Sequence, residues 1–224
     1  MRSPASRHPA PHSEGEEDRR TRVVLAAARL FRLHGYERTT VRELAEAVGM
    51  KSGSLFHHFR NKEEILVAVM ANGIREAIDE GQALMQRYEH PADRLGGLFH
   101  LHMASLVNGT GGAAMHAMIY EWRSLSPEAL ATVRKLGDDY ETLWHQAIDD
   151  AVACGLIEGD PTIIRNYVLG GMNFTVRWYR EGGRYDATAL ADQMLQAALP
   201  AVARHCAVSR KSHTPGEDDA VHEN

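Results

Sequence analysis

An all-α fold is what this chain predicts, on three observations. Its apolar residues recur at three- and four-residue steps, the spacing that turns one face of a helix into a core. Helix-start devices stand ahead of these stretches: Thr40 with Glu43, Asn61 with Glu64, Ser126 before Pro127 and Asp160 before Pro161. No segment carries the two-residue alternation of a half-buried strand. At 224 residues, with 44% apolar and 25% charged side chains, the chain can bury a core and has an ordinary globular composition.

About nine helices follow in order. From Arg20, Val24, Ala27, Ala28 and Phe31 line one face, and Gly35 ends the helix. Thr40 and Glu43 form a capping box for a short second helix, since each side chain satisfies the other residue's orphan N–H. Gly49 turns the chain into a short third helix that opens with Ser52, Gly53 and Ser54. Asn61 and Glu64 repeat the capping device for a fourth helix from Lys62 to Arg87. That helix is roughly 39 Å long at ~1.5 Å per residue, with Gly73 and Gly81 as points of weakness. A fifth covers 91–108, and the glycine-rich stretch 108–112 breaks it from a sixth over 113–125. Ser126-Pro127 starts a long seventh helix carrying Val133, Leu136, Tyr140, Leu143, Ala147 and Ala151, and Gly155 stops it. An eighth runs from Asp160-Pro161 to Tyr179-Arg180, where Gly182-Gly183 ends it, and a last helix covers 188–205. Residues 1–18 and 207–224 are too polar to offset their ordering entropy and read as disordered tails.

Cys154 and Cys206 are isolated, with no CxxC spacing, which fits two ordinary thiols in the cytoplasm. No apolar run reaches the ~18 residues of a membrane span, and the first residues lack the apolar stretch of a secretory signal. Within residues 19–62 there are ten Lys/Arg against three Asp/Glu, a local +7 in a chain of net charge −5. A basic block at one end of an acidic chain is an electrostatic footprint for nucleic acid. Its short helix, glycine turn and second short helix form a helix-turn-helix pattern, in which the second helix enters the major groove. Ser52, Gly53 and Ser54 allow close approach to the duplex. Leu44, Ala45, Val48, Leu55 and Phe59 form the apolar underside, and Arg42, Lys51, His57, His58 and Lys62 form a polar and cationic rim.

Residues 21–70 resemble the N-terminal domain of TetR-family transcriptional regulators. The resemblance is carried by Ala27-Ala28-Arg29-Leu30-Phe31, His34-Gly35-Tyr36, Thr39-Thr40-Val41-Arg42-Glu43-Leu44-Ala45, Val48-Gly49-Met50, Gly53-Ser54-Leu55-Phe56-His57-His58-Phe59 and Asn61-Lys62-Glu63. It implies an Ω-shaped homodimer, with a DNA-binding domain (19–65) on a larger helical ligand-binding and dimerising domain (66–206). It also implies a phosphate held at Thr40, a phosphate or guanine edge at Arg42, contacts from Ser54 and Phe56, a backbone contact at His58 and a phosphate at Lys62. Two departures stand out. The family commonly has Tyr at Phe56, so a hydroxyl contact is missing, and it often has Ser-Lys where this chain has Lys51-Ser52.

The resemblance further implies a small-molecule effector and pairing through the last two helices. Residues 167–180, with Gly170, Gly171 and several aromatic residues, suit the pairing role, together with Leu190, Met194, Ala197 and Ala201. Met103, Leu106, Met115, Met118, Ile119, Tyr120, Trp122, Leu143 and Trp144 are candidates to line the pocket. Residues 119–128 and 173–180, the latter including Asn173, Arg177 and Trp178, are similar to TetR members that repress lipid and steroid catabolism and respond to acyl- or steroid-CoA thioesters. The −8 of residues 63–206 disfavours a polyanion, and Arg123, Arg177 and Arg180 offset it locally. His100, His102, His116 and His145 raise a metal sensor as a rival, but His100 and His102 do not share a helix face, so no metal site and no cofactor is predicted. Nucleophile elbow, phosphate-cradling loop and HExxH are all missing from the sequence, which excludes the commonest catalytic frameworks. The alternatives are a metal- or drug-responsive regulator of the same fold and a helical interaction protein without DNA binding. The expectation is a repressor placing two reading helices about 34–36 Å apart on a palindromic operator and released when an effector shifts the fourth helix.

Overall fold

The computed structural model describes residues 14–107, 117 and 120–212. Nine α-helices occur among them: α1 (Glu14–His34), α2 (Val41–Ala47), α3 (Ser52–Leu55), α4 (Lys62–Arg87), α5 (Pro91–Val107), α6 (Pro127–Ala153), α7 (Pro161–Asn173), α8 (Ala187–Ala198) and α9 (Pro200–Ser212). The described residues hold no strand. Two compact units divide the chain between Val69 and Met70, within α4.

The first unit is built on the apolar faces read from the sequence. Val24, Ala27, Ala28 and Phe31 of α1 are buried, as are Leu44, Ala45, Val48, Leu55 and Phe59 from α2, α3 and the residues after each. The Thr40 hydroxyl accepts from the Glu43 N–H at 3.2 Å while the Glu43 carboxylate accepts from the Thr40 N–H at 2.7 Å, a complete capping box. Gly49 sits at φ +70°, left-handed backbone that a side chain resists, and this turns α2 into α3. The device at α4 is only half reciprocal. Asn61 Oδ1 accepts from the Glu64 N–H, but the Glu64 carboxylate takes the N–H of Arg60 instead of that of Asn61.

In the second unit α5 is central, packing against α6, α8 and α9. Leu95, Leu98, Phe99, Met103 and Leu106 of α5 are buried, together with Val133, Trp144, Ala147 and Ile148 of α6. Gly96 lets α9 close on α5, since a Cβ there would lie 2.5 Å from Cys206 Sγ. Ser126 and Asp160 cap α6 and α7, each followed by proline.

Several boundaries differ from expectation. α1 begins at Glu14, where Glu16 and Glu17 complement the partial positive charge of a helix start, so 14–18 are helix and not tail. α9 likewise runs on to Ser212. The expected last helix is two, because Pro200 has no N–H to continue α8 and instead opens α9. α7 stops at Asn173, short of Arg180, and tightens into a 3₁₀ turn over Phe174–Arg177. There the Thr175 hydroxyl donates to the Met172 carbonyl at 2.7 Å, and β-branched Thr175 and Val176 favour helix weakly. Neither Gly73 nor Gly81 interrupts α4. The glycine break at 108–112 and residues 113–116, 118 and 119 of the expected sixth helix lie outside the described residues, and Trp122–Ser124 is a 3₁₀ turn.

Candidate nucleic-acid interface and effector site

The rim of the helix-turn-helix is presented outward by a buried underside. Leu55 and Phe59 are fully buried, which fixes α3 and leaves Lys51, Gly53, Phe56 and His57 exposed and Ser52, Ser54 and His58 half-buried. Ser54, His57 and His58 line a groove of about 570 Å³ with Gly15, Glu16, Arg19 and Met50. Thr40 stands exposed at the α2 cap. Arg42 is exposed and reaches Glu46 at 2.8 Å, a carboxylate it must leave to meet a phosphate or base. That hydrogen bond raises the Arg42 pKa above its ordinary value.

Lys62 departs from the role expected of it. Its ammonium donates to the carbonyls of Tyr36, Glu37 and Thr39 at 2.9, 3.3 and 3.1 Å and sits 4.3 Å from the Tyr36 ring centre. All three N–H donors are therefore committed to the turn between α1 and α2, and Lys62 works as a structural clamp in this conformation. Two arginines that the sequence reading counted only as charge do similar work. Arg20 donates to the His58 carbonyl, lies 4.2 Å over the Phe59 ring and pairs with Glu64 at 3.7 Å. Arg22 donates to the Val48 carbonyl at 2.9 Å. Both tie α1 to the ends of the reading pair; Arg22 sits off the apolar face and Arg20, four residues before Val24, shares it, but periodicity does not reveal which carbonyl either one reaches.

The second unit holds a buried polar cluster. His102 of α5 is 2% exposed; its Nδ1 lies 3.0 Å from the Tyr140 hydroxyl of α6 and its Nε2 lies 3.0 Å from Asn173 Oδ1 at the end of α7. Asn173 Oδ1 can only accept, so Nε2 carries the proton and Nδ1 accepts from Tyr140. Burial pushes the His102 pKa down to about 4, against the raising effect of the Asn173 bond, so the imidazole is neutral at pH 7. Burial also pushes Tyr140 up to about 12. Trp144 packs edge-on to His102 at 5.7 Å, and its buried indole N–H lies on the side of the Tyr140 hydroxyl.

Of the residues expected to line a pocket, Met103, Leu106, Leu143 and Trp144 are buried, and Asn173 meets His102. Trp122, Arg177 and Trp178 stand on the surface of this unit instead, because the 3₁₀ turns there swing them outward. Tyr120 is exposed. Met115, Met118 and Ile119 lie outside the described residues, as does His116. The His100/His102 pair divides as the helix period requires: His102 faces inward, while His100 meets Asp192 at 3.1 Å. Tyr140 was read as part of an apolar face, and the use of its hydroxyl was not legible. On the expected pairing surface Tyr167, Gly170, Gly171, Phe174 and Trp178 are exposed, while Leu190 is buried within its own unit.

Residues 23–69 match the model of bacterial regulatory proteins of the tetR family, and residues 88–202 match the tetracyclin repressor-like C-terminal domain. The chain belongs to the TetR family of transcriptional regulators. It is 28% identical over 203 residues to the HTH-type transcriptional repressor KstR2 of Rhodococcus jostii (strain RHA1), covering 87% of this chain and 96% of that one. The crystal structure of AibR in complex with isovaleryl coenzyme A and operator DNA is 27% identical, with a TM-score of 0.74, over 81% of this chain and 98% of the other. The crystal structure of superantigen PfiT is 40% identical, with a TM-score of 0.70, over 84% of this chain and 97% of that one. The regulator thus has the all-α fold and DNA-binding helix-turn-helix expected of it. None of its described helices is long and apolar enough to cross a membrane.

Proposed function

We propose that this TetR-family regulator is a homodimeric, non-enzymatic repressor released from a palindromic operator by an acyl-CoA or steroid-CoA thioester. The observation that carries the DNA-binding part is the outward rim of Thr40, Arg42, Lys51, Ser52, Gly53, Ser54, Phe56, His57 and His58 held over a buried underside. The superantigen property belongs to PfiT, and nothing in the rim of this chain calls for it. Pairing is supported by the exposed stripe Ile163, Tyr167, Gly170, Gly171, Phe174 and Trp178, apolar and small side chains that a lone chain leaves in water.

The effector part is supported by the isovaleryl coenzyme A bound to AibR and by the chemistry of the His102 cluster. That cluster is neutral and hydrogen-bonded, with the Trp144 N–H as a further buried donor beside it. Such a site accepts an uncharged acceptor such as a thioester carbonyl, and rejects a phosphate. The phosphates of a CoA would then remain with surface cations such as Arg123, Arg177 and Arg180. An effector releases DNA only by binding the DNA-free state more tightly. The test uses operator fragments selected from the source genome by the purified protein. Isovaleryl-CoA, a long-chain acyl-CoA and a steroid-CoA should raise the melting temperature and lower operator anisotropy; no response to any of the three defeats the effector assignment.

A further inference from the structure

Outside both sites, His90, Asp93 and His205 each place one ligand atom within 4.8 Å of the others. His90 precedes α5, Asp93 lies three residues on and so shares its side of the helix, and His205 arrives from α9. The packing that brings it is tight at this point, with Cys206 Sγ against Gly96 and donating to the Ala92 carbonyl at 3.4 Å. The thiol is thus turned to the helix backbone, and the two imidazoles with the carboxylate make the donor set.

We propose that His90, Asp93 and His205 bind one borderline divalent transition ion, Zn²⁺ or Co²⁺, which joins the start of α5 to α9. Two neutral imidazoles and one carboxylate are a common protein share of an open, four-coordinate zinc site, with the last position left to water. The set is assembled from opposite ends of the second unit, 112 residues apart between Asp93 and His205, so it is a product of the fold and not of local sequence. The present contacts satisfy these groups only loosely. His205 Nε2 is 3.4 Å from Asp93 Oδ2, long for a charge-assisted bond, and the His90 and His205 rings stack at 3.9 Å and 10°.

Binding asks for modest rearrangement. Bonds of about 2.0–2.2 Å need the ligand atoms roughly 3–3.5 Å apart, so they close from the present spread and the stacked rings fan out. His90 is the ring free to turn, since it is exposed. In this structure its Nδ1 accepts the Ala92 N–H at 3.1 Å, which puts its proton on Nε2. Metal on either nitrogen displaces that arrangement, so the ion exchanges one helix-cap bond for a ligand. The bland alternative is that His90 only caps α5 and His205 only pairs with Asp93.

The untagged full-length chain, stripped with EDTA and dialysed, would be titrated with Co²⁺ and followed by visible absorption, then challenged with Zn²⁺. One Co²⁺ per chain is expected, with the intense bands of a four- or five-coordinate site that Zn²⁺ abolishes. His90→Ala, His205→Gln and Asp93→Asn should each weaken binding ~10-fold or more, on the scale by which site residues control metal affinity. His145→Ala, which removes a surface histidine paired with Asp149 at 3.4 Å, should leave it unchanged. His90→Ala removes an exposed ring, so native circular dichroism is expected and validates that arm. No saturable absorption with about 100 µM Co²⁺ near neutral pH, or equal binding by wild type and His90→Ala, overturns the proposal.

Discussion

Replacing Lys62 by Met separates two accounts of the same cation. The substitution keeps the apolar stem and removes the ammonium that the carbonyls of Tyr36, Glu37 and Thr39 share. The bonds to Tyr36 and Thr39 are partly buried and the one to Glu37 is exposed, so water readily replaces only the last. Two partly buried charge-assisted bonds, discounted for access to solvent, contribute about 1 kcal/mol each, and the cation over the Tyr36 ring adds about 0.5 kcal/mol. Lys62→Met should therefore destabilise the first unit by about 2–3 kcal/mol. In a domain of this size that lowers its unfolding midpoint by about 10 °C or more. Thermal unfolding followed by circular dichroism measures it. Salt-dependent binding to duplex DNA, below the unfolding temperature, should keep its log–log slope. A stability loss under about 0.5 kcal/mol together with a slope flatter by about one unit would refute the clamp and restore Lys62 to the phosphate contacts.

The same geometry decides five further substitutions. Arg42→Ala should weaken operator binding about 10–100-fold, with relaxed base preference if the side chain reads a base, whereas Glu46→Gln should tighten binding about 2–5-fold because it frees Arg42; anisotropy titrations report both, and weaker binding by Glu46→Gln would contradict the second. Gly49→Ala should cost about 1–3 kcal/mol, since alanine must take up the +70° φ of the turn; a urea midpoint equal to wild type contradicts it. His102 is held neutral in the folded chain, with its pKa lowered to about 4 from 6.5, so the unfolded chain takes up the proton first as pH falls. Its contribution is complete above pH 6.5 and is lost progressively down to about pH 4, up to about 3 kcal/mol. Wild type should lose more stability than His102→Gln between pH 7 and 4, and parallel profiles would refute this. Tyr167→Glu should shift the chain from dimer to monomer in sedimentation equilibrium; an unchanged dimer removes α7 from the pairing surface.

Much of the first unit was legible because local rules decide it. The capping box at Thr40 and Glu43, the glycine turn at 49 and the apolar positions of α1 to α3 all act within a few residues, where sequence spacing is informative. α4 was legible from its cap and its length. What escaped depends on residues distant in the chain. Arg20 and Arg22 reach carbonyls 38 and 26 residues away, and Lys62 reaches back to the turn before α2, so a rim counted as free charge is partly internal fastening. His102 looked like one of several scattered histidines, and only the packing of α5 against α6 and α7 turns it inward onto Tyr140 and Asn173. Pattern alone carries α7 on to the strong stop at Gly182-Gly183, because the earlier end rests on a Thr175 hydroxyl bond to the Met172 carbonyl. The split of the last helix, by contrast, is legible in Pro200, which has no N–H to continue α8.

The central claim, that the outward rim of α2 and α3 holds duplex DNA by its phosphates, is tested most directly by the salt dependence of binding to a genome-selected fragment. Each phosphate contact contributes about −0.9 to the slope of log K against log salt, so a rim used by both copies of a dimer predicts about −4 or steeper. A slope near zero on fully folded protein would contradict the account.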